Sequence, residues 1–235
     1  MIPVNKVGFT IIETMLFLAI TGLLVAAIFA TTGTSINIQR YHDSVTSLQS
    51  YIQQQYSEVA NVHNDSASNL CNGVTSDRGQ SNCVILGRFI TSTDSQNVTS
   101  SAVIGYINPA TTLQSDDILA INQYNPIVSS NLVDSYQIEW GSTIIQPHST
   151  NPMQFSILII RSPSSGVIRS FINTQTPTVV PGNILSMINL GSLANSATLC
   201  VDSHGLFTGT TMAVFLEKNA TNSSSVEMLG DTSGC

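Results

Sequence analysis

The stretch CVDSHG, residues 200–205, sets the acid Asp202 close to the base His204 in a chain rich in serine. Acid, base and hydroxyl are the parts of a hydrolase triad, but the hydroxyl must be held against the base by a nucleophile elbow or an equivalent sharp turn. No G-x-S-x-G occurs, and Asp202 and His204 read as turn residues. Asp116 and Asp117 form a second acidic pair. A calcium loop would spread oxygen ligands over alternating positions and close on a glutamate, so the pair reads instead as a helix start or turn. The cysteines Cys71, Cys83, Cys200 and Cys235 contain no CxxC and fit no zinc spacing. Phosphate-binding and dinucleotide glycine motifs are absent. No catalytic residue, metal ligand or cofactor is expected, and the chain is not expected to be an enzyme.

Asp, Glu, Lys and Arg make up 9% of the 235 residues, against about 25% in an average soluble protein. Serine, threonine, asparagine and glutamine fill the difference, as they do on extracellular fibre and surface proteins. The net charge is −7, and Lys6, Arg40, Arg78, Arg88, Arg161, Arg169 and Lys218 form no run. Nucleic acid is therefore an unlikely partner, because phosphate contacts need clustered cations.

The one carboxylate that demands an explanation is Glu13. It stands at the head of TMLFLAITGLLVAAIFATTGTSINIQ, a run from Thr14 to Gln39 without a charged side chain. Its most apolar part, Met15 to Ala30, is about 16 residues, longer than the core of a usual secretory signal. A carboxylate in hydrocarbon costs on the order of 3 kcal/mol or more, so Glu13 is expected to have a partner or a function.

The segment KVGFTIIETM, with the apolar LFLAITGLLVAAIFA that follows, resembles the class III leader of type IV prepilins and pseudopilins. That family has a short basic leader, a glycine, then Phe-Thr-x-x-Glu opening a hydrophobic helix. The likeness covers about the first 30 residues, with small residues at Ala19 and Gly22; Ala30 stands where many major pilins have a proline. The resemblance implies cleavage by prepilin peptidase between Gly8 and Phe9, N-methylation of Phe9, and a cytoplasmic leader held by Lys6. Glu13, one helical turn from Phe9, would then neutralise the new N-terminal ammonium, its own or a neighbouring subunit's, and so set the axial register of packed helices. The implied partners are other pilin subunits, the peptidase, the pilus or secretion assembly machinery and, before assembly, the inner membrane. The chain's size tilts the resemblance toward a minor pilin or pseudopilin. The competing expectation is an extracytoplasmic binding domain for which the helix is only an anchor.

No proline falls between Pro3 and Pro109, and Tyr41, Val45, Leu48, Ile52, Val59 and Val62 make an apolar stripe at helical spacing. Residues 1–8 thus read as leader and 9–62 as one helix, on the order of 80 Å long, membrane-spanning to about residue 30. Residues 63–235 read as a globular head of mostly antiparallel β structure, with a partly irregular insertion near 108–153. The expected strands are CVILGRFI, SAVIGYI, YQIEWG, FSILIIRS, GVIRSFI, ATLCVDS and TMAVFLEKN, with RSPSSG and SHGLFTG as hairpin loops. The stretch GNILSMINLGSLANSA is expected to hold a short helix or a lone strand. Outside the cytoplasm an even cysteine count reads as two disulfides. Cys71–Cys83 and Cys200–Cys235 are favoured among three possible pairings, because each brackets a loop rich in Gly, Ser and Asn. The fold class is α+β, and the resemblance implies a pilin fold.

Overall fold

The computed structural model describes residues 8, 10–61, 83–108, 110–175, 179–205, 211–230 and 235. Contacts divide the chain into two units, Met1–Arg40 and Tyr41–Cys235. The second unit thus begins inside the long helix, at Tyr41.

Helix α1 (Ile11–Ala60) is 50 residues long and unbroken. Thr10 caps its start, its hydroxyl accepting from the Glu13 N–H at 3.3 Å. Gly33 and its threonine neighbours do not interrupt it, though a glycine costs about 1 kcal/mol relative to alanine in a helix. From Tyr41 onward the stripe is buried as its spacing predicts: Tyr41, Val45, Leu48, Ile52 and Val59 are all within 2% of complete burial, and Tyr56, which the stripe did not include, is buried with them. Val62 lies outside the described residues.

Nine antiparallel strands form two sheets among the described residues. β1 (Cys83–Ser92) and β2 (Asn97–Tyr106) make a hairpin whose turn is held by Asp94, which accepts from the N–H of Gln96 and of Asn97. After helix α2 (Asp117–Gln123) come β3 (Ile127–Gln137), β4 (Thr143–Ile145), β5 (Phe155–Arg161) and β6 (Ile168–Asn173). A 3₁₀ segment (Pro181–Met187) and the single-turn helix α3 (Leu190–Leu193) lead to β7 (Ala197–Asp202), β8 (Met212–Leu216) and β9 (Val226–Leu229). The strand orders are β3-β2-β1-β5-β6 and β4-β7-β8-β9.

Strand alternation sorts the cores. On β5, Phe155, Ile157 and Ile159 join the α1 stripe, while Leu158 and Ile160 join the opposite face with Phe89, Phe171, Ile121, Ile184 and Met187. The five-stranded sheet is thus covered by α1 on one side and by α2 and the 3₁₀ segment on the other. The four-stranded sheet also lies against α1, through Leu199, Val201, Val214 and Leu216. Its far face carries Ile145, Ala213 and the Cys200–Cys235 disulfide. Cys83 is disulfide-bonded as well, and its expected partner Cys71 lies outside the described residues. Gly87 is required where it stands: a Cβ there would sit 1.9 Å from the Ile159 carbonyl oxygen.

Within residues 108–153, loops and turns alternate with regular elements. The latter include α2, capped by Asp116 through the N–H of Ile118 and of Leu119, and the eleven-residue strand β3. YQIEWG is no separate strand: its first two residues end β3 and Glu139–Gly141 form a 3₁₀ turn with Trp140 at φ 58°. The other departure is β9, which the polar C-terminal stretch did not suggest. The RSPSSG hairpin forms as expected between β5 and β6, and GNILSMINLGSLANSA holds helical turns and no lone strand.

Asp117 pins α2 to that hairpin. It accepts from Ser165 Oγ at 2.6 Å and from Arg169 Nη2 at 2.8 Å and Nε at 3.1 Å. The Ser165 hydroxyl and the Arg169 guanidinium hold its carboxyl at about 2, against an ordinary 3.8. The depressed value makes the contribution fully present above pH 4, and it is lost as pH falls from about 4 toward 2. Its size is about 1 kcal/mol once the partial exposure of Arg169 is counted. Asp117→Asn is expected to lower stability at pH 7 by that amount and to flatten this part of the acid limb in urea melts between pH 5 and 2. Leu48→Ala, at a fully buried position of the stripe, is expected to cost about 2–5 kcal/mol in the same melts.

Candidate functional site

Two groups of side chains differ from ordinary packing, and both lie on α1. In its first unit the apolar residues are turned outward: Ile11, Met15, Phe17, Leu18, Leu23 and Phe29 are each more than 60% exposed. This helix has a mean hydropathy of 2.3 over its most apolar window and is long and apolar enough to cross a membrane. Water is the wrong solvent for such a surface, because leaving a large apolar side chain hydrated forfeits about 1.5–3 kcal/mol.

The polar side chains in this segment satisfy themselves. Thr14 donates to the Ile11 carbonyl at 2.9 Å, Thr21 to Phe17 at 2.8 Å, Thr31 to Ile28 at 3.0 Å and Thr32 to Ile28 at 2.8 Å. Thr34 and Ser35 do the same one turn back, to Ala30 and Thr31. Hydroxyls bonded to the preceding turn add no unmet polar group to hydrocarbon. A carboxylate has no such recourse, since it accepts but cannot donate, and the carbonyls of its own helix are acceptors too. Glu13 is exposed, and its carboxylate makes no hydrogen bond or ion pair among the described residues. Its backbone N–H is used by Thr10, as one half of the S/T-x-x-E capping signature. That signature was present in the sequence as Thr10-Ile-Ile-Glu13 and accounts for the start of the helix, but not for the unpaired carboxylate. Gly8 is exposed. Phe9, the other half of the expected cleavage site and the methylation position, lies outside the described residues, as does any pairing of its amine with Glu13.

The second group pins the remainder of α1 to both sheets. Tyr41 donates to the Val201 carbonyl at 2.6 Å and accepts from the Met212 N–H at 2.6 Å. Val201 and Met212 are opposite each other on β7 and β8, so one phenol closes the end of that ladder. Tyr56 bonds Ser170 on β6 at 2.9 Å, and Ser170 spends its only proton on the Ala220 carbonyl, so Tyr56 is the donor. Burial pushes the Tyr56 phenol up to about 12, which keeps that proton in place. Gln55, 1% exposed, accepts from Ser100 on β2 at 2.6 Å. Gln49 and Gln53 both donate to the Val226 carbonyl of β9, at 3.1 and 3.0 Å. Apolar spacing alone could not reveal these partners, because each lies on a strand far away in the chain.

Asp202 and His204 occupy the end of β7 and its turn, with His204 at φ 48°. Both residues thus stand where the sequence suggested a turn.

Comparison with protein-family models, with curated proteins and with solved structures gives no match. The class that the structure itself defines is α+β: one long helix, apolar enough over its first part to cross a membrane, and antiparallel sheets in the C-terminal part, with a Cys200–Cys235 disulfide.

If the outward-facing segment is a span, a charge at its middle must be felt. Leu23→Arg is expected to raise the apparent insertion free energy by about 3 kcal/mol, read as the inserted fraction in a microsomal glycosylation-mapping assay; unchanged insertion would count against a span.

Proposed function

We propose that this chain is a structural subunit, a minor pilin or pseudopilin, of a type IV pilus or a related filament. It has the pilin fold, is made as a prepilin, is cut by prepilin peptidase between Gly8 and Phe9, and is N-methylated on Phe9. Before assembly the helix sits in the inner membrane with the head outside the cytoplasm; afterwards the subunit lies in a filament at the cell surface. It has no catalytic role.

The observation that carries the reading is the carboxylate of Glu13, without a partner among the described residues, at the head of an outward-facing apolar helix. A charge in hydrocarbon calls for a second charge to be brought to it. The ammonium produced by cleavage before Phe9 is that charge. In a bundle of such helices a pair forms only at one axial offset, because a slip of one turn, about 5.4 Å, separates the two ions and leaves both unmet. The carboxylate then acts through its position, which selects one stagger among many that apolar packing would tolerate. The continuity of α1 supports the same reading, since it carries force from that buried register directly into Tyr41, Gln55 and Tyr56.

Two measurements test it. The intact mass of the protein purified from its own cells is expected to correspond to a methylated chain beginning at Phe9; a protein that still begins at Met1 overturns the reading. Glu13→Ala is expected to insert in the membrane at wild-type level and to be lost from sheared filaments. Normal incorporation of that variant would instead favour an anchored binding domain.

A further inference from the structure

The head contains a cleft at the seam between its two sheets. Its walls are the β4–β5 turn with Gln146, the end of β6 with Thr174 and Gln175, and the start of β7 with Ser196 and Thr198. Its volume is about 710 Å³, and the exposed Pro147 contributes an apolar surface above the buried Met153. That volume is in the range of about 300–1,000 Å³ typical of small-molecule sites.

Three features restrict what such a cleft can hold. No charged side chain lines it among the described residues, so an anion or cation would lose its hydration without a counter-charge. The neighbouring strand edges are already used. Ile144 N–H donates to Ser95 at 2.9 Å, Met153 N–H to Ile144 at 3.0 Å and Gln146 N–H to Asn151 at 2.9 Å. On β6 the Asn195 amide donates to the Ile172 carbonyl at 3.0 Å. An extended peptide therefore finds little open backbone to pair with, which strand addition requires. By contrast, the side chains of Gln146, Thr174, Gln175, Ser196 and Thr198 make no hydrogen bond among the described residues. They offer amides and hydroxyls that both donate and accept.

We propose that this cleft binds a neutral glycan segment. Its hydroxyls exchange hydrogen bonds with the two glutamines and the three hydroxyl side chains, and a C–H face of a ring lies on Pro147. Every requirement of such a ligand is met by the lining: donors and acceptors in mixture, no charge, and one apolar surface. The inference is independent of the filament reading, since it concerns the head alone.

The full chain in a sugar-free detergent, titrated calorimetrically with maltohexaose, cellohexaose and chitohexaose, tests it. Saturable binding of at least one is expected. Gln146→Ala and Gln175→Ala, both at the surface, are each expected to weaken it about 5-fold with the melting temperature unchanged. A heparin hexasaccharide and hexa-alanine are the charged and peptide controls and are expected not to bind. The proposal is overturned if none of the three neutral oligosaccharides binds, if both variants bind as the wild type does, or if either control binds equally well.

Discussion

Hydrogen bonding along one helix is the constraint on which the other features of this protein rest. Between Ile11 and Ala60 the α1 backbone closes its own bonds, residue by residue. The same path is therefore stable in hydrocarbon, where no water can substitute, and in the head, where the sheets can reach it only through side chains. The threonines of the first unit extend this economy to their hydroxyls. What distinguishes the two units is which side chains the common backbone carries: all-round apolar before residue 31, a single apolar stripe after Tyr41.

The stripe organises the head because both sheets use it. Val45, Leu48 and Ile52 belong to one core with Phe155 and Ile157 of the five-stranded sheet and with Leu199 and Val214 of the four-stranded one. Apolar contact of this kind is non-directional and would tolerate a helix rotated or slid by a fraction of a turn. Tyr41, Gln55 and Tyr56 remove that freedom, because each has a partner at one position only. Burying them without those partners would cost about 1–3 kcal/mol apiece. The outer layer formed by α2 is located in the same manner, by Asp117 on Ser165 and Arg169.

Much of this was legible in the residues. The helix, its apolar first part and its stripe follow from periods and from the absence of proline, which are local properties. The strand pattern of FSILIIRS and GVIRSFI was equally plain, because β-branched runs bounded by turn residues need no distant information. β3 was concealed for a physical reason: it is an edge strand with one mostly exposed face, so its sequence IVSSNLVDSYQ carries few of the apolar residues that mark a buried strand. α2 is only seven residues long, too short to show a period, and β9 is four. In the candidate site, Glu13 stood out by charge alone, while the capping role of Thr10 was signalled by a motif that the charge overshadowed.

By itself the sequence determined a long helix with two differently solvated parts, an antiparallel β head and the isolated carboxylate, because hydrophobic period, proline spacing and charge are written residue by residue. The tertiary structure alone decided that there are two sheets, that α2 covers one of them, and that the Cys200–Cys235 pairing is made. It alone decided also that neutral side chains from three separate segments meet in one cleft. These depend on contacts between residues tens to more than a hundred positions apart. No local pattern specifies such contacts, since many pairings of the same strands would bury similar apolar area and only the packed whole selects one.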